Sequence, residues 1–316
     1  MIEIFLLKED KIERHEYSES LVLDLKGSIW IRCLEPSEKD IESLSLLTKI
    51  PPDEFKDTVE GDERSKVSVN KHIEIIYRTP AIFEDEVITI PLYIFAIGNI
   101  IATIERRPNK VLADLSKALI ENKRKFLFKK PGGYFIFYVL DRINDEFLYF
   151  IDKISIKIDL FREKRALSKE SIEKIYNTSI TLSYFNQSLI ANIEVLNELR
   201  KSYYKLFEQE DRRHFSELYY DALQILDTEK IQRELLTNLF NMHSTIVGNE
   251  LNYFMKIVAL VALLSTVPTL ITNIFAMNVV KTPIVDHPYA FYIILGMIIF
   301  AALVSYFFFK YFERKW

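Results

Sequence analysis

Met255–Asn278 reads MKIVALVALLSTVPTLITNIFAMN, and its central stretch, Ile257–Phe275, holds no charged side chain. A helix needs about 20 consecutive apolar residues to cross the ~30 Å hydrocarbon core of a bilayer. The stretch therefore predicts a transmembrane helix over residues 256–276. A second uncharged run, Tyr289–Phe309, follows a loop (277–288) that contains Lys281, Asp286 and His287. Together they predict a transmembrane hairpin at 255–316, and everything upstream is read as lying outside the membrane.

Only neutral polar residues interrupt the first span: Ser265, Thr266, Thr269, Thr272 and Asn273, with Pro268 breaking the backbone ladder. Hydroxyls and amides in lipid need partners, so this helix is expected to face other helices or water. Two helices cannot enclose a water path, so a pore requires several copies of the hairpin. Asn252, Met255, Val258 (or Ala259), Ala262, Thr266, Thr269 and Asn273 recur every three or four residues and share one helical face. Two readings fit that face: the lining of a pore, or close packing of small and hydroxyl side chains between helices.

Ala276, Met277 and Asn278 close the span where it leaves the membrane. This ending resembles the CorA family of divalent-cation transporters, whose first span ends in Gly-Met-Asn. Asn252, Met255-Lys256 and Pro268-Thr269 stand at the spacings the family shows before that tripeptide. Two positions depart from it. Ala276 takes the place of the glycine, and Asn273 replaces a small residue, usually glycine, one turn earlier. The added methyl of alanine restricts positive φ and close helix approach, so a narrowed pore or altered selectivity is expected. The loop also lacks the family's acidic Pro-Glu-Leu segment and offers Asp286 and His287.

The resemblance implies a funnel-shaped homopentamer: an α/β cytoplasmic domain, a long helical stalk and two C-terminal transmembrane helices per subunit. It implies uptake of hydrated divalent cations, chiefly magnesium with cobalt or nickel as further candidates, through a pore held shut by cytoplasmic magnesium. Ala276, Met277 and Asn278 become the selectivity filter, Thr269 and Asn252 polar rings, and Met255 and Val258 an apolar constriction. Magnesium sheds water reluctantly, so neutral amide and hydroxyl groups suit recognition of the hydrated ion. Apart from the resemblance, Asn278 reads as a C-terminal helix cap. Two rival readings are a zinc transporter of the same architecture and a membrane-anchored sensor or scaffold that has lost transport.

The 316 residues leave roughly 250 outside the hairpin, enough for one or two domains. With 41 basic and 45 acidic residues the net charge is −4, and no basic patch points to nucleic acid. Cys33 is the single cysteine, which excludes an internal disulfide and a cysteine metal cluster and suits a reducing compartment. The start, MIEIFLLKEDKIERHE, has no basic leader or small-residue cleavage site and is expected to be a strand, not a signal peptide. Lys310, Arg314 and Lys315 follow the second span while the loop holds only Lys281, so both termini are expected on the cytoplasmic side of the cell membrane. The spans contain no carboxylate, which argues against proton coupling. The membrane potential, about 4.6 kcal/mol for a divalent ion at 100 mV, then drives uptake.

Residues 1–143 read as an α/β domain, with strands at Glu3–Leu7, Leu21–Leu25, Ser28–Leu34, His72–Arg78, Val87–Phe95 and Ile100–Ile104. Ser37–Thr48 reads as a capped helix with Ile41, Leu44 and Leu47 on one face. Trp30 ahead of Pro36, and two strands joined at Gly98-Asn99, also look like the family's cytoplasmic domain. Lys129–Gly133 lacks the spacing of a phosphate-binding loop and reads as a plain turn. Residues 144–254 read as helical: Asp145–Lys164 and Ser168–Phe207 as an antiparallel pair joined at Leu167-Ser168, then a third helix from near Phe215. That helix is expected to run unbroken into the membrane, with Asp227-Thr228 and Gly248 as its weakest points.

At the head of the stalk Glu217 and Asp221 lie one turn apart. With Glu84, Asp85 or Glu86 of the partner subunit they are the candidate ligands for the regulatory magnesium that the resemblance implies. A solvated acidic face is the plain reading, and it is favoured for Asp145, Asp152 and Asp159. His15, His72, His214, His243 and His287 are scattered; His214 with Glu210 and Asp211 offers a zinc set that is not favoured. No serine nucleophile or hydrolase triad can be named, so an enzyme is not expected.

Overall fold

A computed structural model describes residues 1–18, 27–56, 58, 63–84, 86–162, 168–201, 207–277, 284 and 287–313. The expected strand at Leu21–Leu25, together with Asp85, Leu167, Asn278, Lys281, Asp286, Arg314 and Lys315, lies outside the described residues. The chain divides into two compact units, Met1–Leu239 and Phe240–Trp316.

The first unit is built on one mixed sheet. Its strands are β1 (Ile2–Lys8), β2 (Lys11–Glu16), β3 (Ile29–Leu34), β4 (Lys66–Val69), β5 (Ile73–Phe83), β6 (Glu86–Ile97) and β7 (Ile100–Glu105), in the order β2-β1-β3-β7-β6-β5-β4. Among the described strands only β3 and β7 pair in parallel. Gly98, at φ +56, opens the tight turn between β6 and β7, a backbone region that a residue without Cβ enters at little cost. Periodicity did not reveal β2 and β4. They are the two edge strands, KIERHE and KVSV, and a polar, short edge discourages pairing with other chains.

Alternation along the strands sends two apolar sets to opposite faces. Ile29, Ile31 and Cys33 pack with Ile2, Ile4 and Phe95 under α1 (Glu38–Thr48), which contributes Ile41 and Leu44. Ser37 caps α1 in a reciprocal capping box with Asp40. On the other face Phe5, Trp30, Ile75 and Tyr77 pack against α2 (Lys110–Ile120), α3 (Gly132–Arg162) and α4 (Lys169–Lys201). Trp30 stacks on Phe5 at 4.8 Å and its indole N–H donates to Thr103 Oγ1 at 3.0 Å. Beside them Arg32 bridges buried Glu105 (2.5 Å) and Glu3 (3.3 Å), and Glu105 also accepts the backbone N–H of Asn109, the residue that caps α2.

The Lys129–Gly133 turn ends a short 3-10 helix and passes directly into α3, whose helical run begins well before Asp145. Ser168 caps α4 by accepting the Ser171 N–H at 3.2 Å. The third long helix, α5, spans Gln209–Ala276 without a break, starting before Phe215. Its 68 residues extend about 100 Å at 1.5 Å per residue. The start of α5 fits tightly against the start of α3. A Cβ built on Gly133 would stand 2.3 Å from Asp211 Oδ2, so Gly133 lets the buried Asp211 approach the α3 backbone.

The second unit contains the end of α5 and α6 (Ala290–Glu313). Each carries an 18-residue apolar window long enough for a bilayer, and no residue in either window is buried.

Candidate ion-conduction site

The candidate lining residues lie on the membrane end of α5. Asn252, Met255, Val258, Ala262, Thr266, Thr269 and Asn273 are all exposed in the single chain. Leu260, Leu264, Val267, Pro268, Ile271 and Phe275 are half-buried instead. At ~100° per residue the two stripes centre about 180° apart on the helix. On α6 the half-buried residues Ile294, Met297, Ile298, Ala301, Ser305 and Phe309 also recur at helical spacing. Leu260 and Phe309, one from each half-buried stripe, line one cavity, so these stripes face each other and the polar stripe is the face turned away.

The hydroxyls of the first span need no outside partner. Ser265, Thr266 and Thr269 each donate to the carbonyl four residues back at 2.7–2.8 Å, and Thr272 donates to the Thr269 carbonyl at 2.9 Å. Threonine and serine thus satisfy their hydroxyls within the helix, so the expectation that this helix faces other helices or water rests on its amides. Asn273 is different. Among the described residues its amide makes no hydrogen bond, and it is exposed on the polar stripe. An amide at that depth needs water or a polar neighbour. Ala276 ends α5 and Met277 follows, 59% exposed, while Asn278 lies beyond the described residues.

The candidate regulatory acids fall into two groups. Glu217 and Asp221 are exposed on α5. Glu217 meets Arg213 at 3.3 Å and His214 Nδ1 at 3.7 Å. The Asp221 carboxyl is pushed above its ordinary value by partial burial and by the charges of Glu217 and of Asp145 on α3. Glu84, at φ +48, and Glu86 are exposed at the β5–β6 turn. Glu86 there lines a cleft of about 680 Å³ with Lys153, Lys157 and Lys174, a feature sequence reasoning missed because its walls come from α3, α4 and the hairpin tip. Hard oxygen donors suit magnesium. Yet among the described residues no group of three or more His, Cys, Asp or Glu side chains is placed to hold a metal. Asp145, Asp152 and Asp159 are exposed. His214 stacks on Phe137 at 4.6 Å, with Glu210 at 4.0 Å, whereas Asp211 is buried and accepts the Glu208 N–H.

Comparison with known proteins agrees with this architecture. The family model for CorA-like Mg2+ transporter proteins matches residues 26–311. The cobalt/magnesium transport protein CorA of Methanocaldococcus jannaschii is 28% identical over 285 residues, covering 89% of this chain and 90% of that protein. The CorA of Thermotoga maritima, also named a cobalt/magnesium transport protein, is 24% identical over 199 residues, covering 62% of this chain and 56% of that protein. The complete structure of the Methanocaldococcus jannaschii CorA magnesium transporter superposes with a TM-score of 0.89 at 25% identity, covering 98% of this chain and 97% of that one. A match across nearly the whole length, over both the soluble unit and the spans, makes this a membrane transport protein and not an enzyme: the chain belongs to the CorA family of divalent-cation transporters.

Proposed function

We propose that this chain forms a homopentameric channel that takes up hydrated divalent cations, chiefly Mg2+ with Co2+ and Ni2+ as secondary cargo. The observation that carries the reading is the polar stripe of α5, which faces away from the chain's own second span and includes the amide of Asn273, unpartnered among the described residues. Identical copies set around an axis turn that stripe inward, so that rings of Asn252, Thr266, Thr269 and Asn273 offer neutral oxygens to the ion's water shell. The filter is Ala276, Met277 and Asn278, with Met255 and Val258 as the apolar constriction. The names of the relatives, cobalt/magnesium transport proteins, support the cargo.

In the same reading residues 1–143 and 144–254 are cytoplasmic, 255–316 span the cell membrane, and both termini face the cytoplasm. Cations enter down the membrane potential, at about 2.3 kcal/mol per charge per 100 mV. Glu217 and Asp221, with Glu84, Asp85 or Glu86 of the partner subunit, sense cytoplasmic Mg2+. The incomplete donor set among the described residues is consistent with a site shared between subunits.

The test is uptake into vesicles holding the purified protein and a Mg2+-sensitive dye, under an inside-negative potential. Wild type is expected to admit Mg2+, and Asn278→Ala to fall to the level of empty vesicles. Undiminished entry through Asn278→Ala would overturn the amide ring. Movement of Zn2+ alone, and only with a proton gradient, would overturn the cargo.

A further inference from the structure

Between the start of the first span and the end of the second lies a cavity of about 220 Å³, lined by Tyr253, Lys256, Ile257, Leu260, Tyr306, Phe309 and Lys310. All seven residues belong to the second unit. Lys256 immediately precedes the uncharged run of the first span, and Lys310 immediately follows that of the second. A hairpin brings these two ends to the same membrane surface, so two ammonium groups and two phenols share one level, where aromatic rings and snorkelling lysines belong. None of the lining residues is acidic, and among the described residues neither lysine makes an ion pair. Below the lysines the wall is apolar, through Ile257, Leu260 and Phe309.

We infer that this cavity binds the phosphodiester headgroup of an anionic phospholipid from the leaflet in which the first span begins and the second ends. The volume equals that of about seven waters at ~30 Å³ each, which suits a headgroup phosphate and the first carbons of an acyl chain, not a whole lipid. Lys256 and Lys310 meet the phosphate, Tyr253 and Tyr306 offer hydroxyl donors, and the chain lies on the apolar wall. Because Lys256 adjoins Met255 of the proposed constriction, a lipid seated here ties the foot of the pore helix to the second span. The inference rests on the membrane-hairpin reading and adds a ligand to it.

The experiment uses the full-length oligomer, purified in neutral detergent and offered phosphatidylglycerol or phosphatidylcholine, with retained lipid counted by native mass spectrometry. Phosphatidylglycerol is expected to be retained over phosphatidylcholine. Near a membrane each lysine contributes about fivefold in affinity, so Lys256→Gln with Lys310→Gln should weaken retention about 25-fold, while the double arginine variant keeps it. If the double glutamine variant fails to assemble, Lys310→Gln alone is read, with about fivefold expected. Equal retention of both lipids, or undiminished retention by the glutamine variants, overturns the proposal. Displacement of the lipid by millimolar inorganic phosphate assigns the cavity to a soluble anion and overturns it as well. Mg2+ entry measured beside this separates the two readings. Silent vesicles of every lipid composition count against the channel, whereas entry without lysine-dependent retention counts against the lipid site alone.

Discussion

Phe147 and Phe300 are the same amino acid in opposite circumstances. Phe147, on α3, is fully buried and meets Phe185 edge-on at 5.1 Å; Phe300, on α6, is 69% exposed. The contrast holds across the two units. In Met1–Leu239 the core apolar side chains are hidden around the sheet, and buried charges are paired, like Arg32 with Glu105, or hydrogen-bonded, like Asp211 with the Glu208 N–H. In Phe240–Trp316 Val261, Ile274, Phe300 and Phe307 stand in the open and charge is nearly absent from the spans. Burial within the chain organises the first unit. In the second the hydrophobic effect is already satisfied by lipid or by other copies, so apolar residues gain little from packing on their own chain.

The largest effect expected from testing this contrast comes from one substitution made twice. Phe147→Ala should destabilise the detergent-solubilised protein by about 3–5 kcal/mol, because the vacated space lies in a closed core. Phe300→Ala should change it by about 0.5 kcal/mol or less, read in the same chemical denaturation. An equal loss at Phe300 would show that a neighbouring subunit covers it.

Next in size is Gly133→Ala. Its Cβ must displace Asp211, for about 1–3 kcal/mol, and Asp211→Ser in the same chain should return part of the loss. Full additivity of the two changes would break the claim that this contact joins the start of α3 to that of α5.

The smallest concerns Glu229, fully buried on α5, which accepts from Asn186 at 2.7 Å and faces Arg233 at 3.2 Å. Burial pushes its carboxyl above the usual range despite Asn186 and Arg233. A raised carboxyl binds its proton more tightly in the folded state. Its contribution is therefore complete below the unfolded carboxyl's pKa and is lost as pH rises through the folded one. Glu229→Gln should raise the melting midpoint at neutral pH by roughly 2–4 °C and leave it unchanged at pH 4. A rise of the same size at both pH values would remove the titration argument.

Several features were open to local reading. The two spans, the β6–β7 hairpin at Gly98-Asn99, the Ser37 cap and the unbroken α5 each depend on neighbours within a few turns of chain. The polar stripe is legible for the same reason, since residues three and four apart share a helical face wherever the helix goes. The Arg32 cluster was not, because Glu3, Arg32 and Glu105 come from strands far apart in the chain. Nor was the lysine-lined cavity at the foot of the spans.

Charge-free length and helical period, both local properties, were enough to determine that this chain crosses a membrane twice and that one face of its first crossing is polar. Which face the second crossing would cover depends on how two helices separated by a loop pack together. Only the tertiary structure decided that α6 shelters the side opposite Asn252–Asn273 and leaves the polar stripe open, because covering one side of a helix is a property of the pair and is written in neither segment alone.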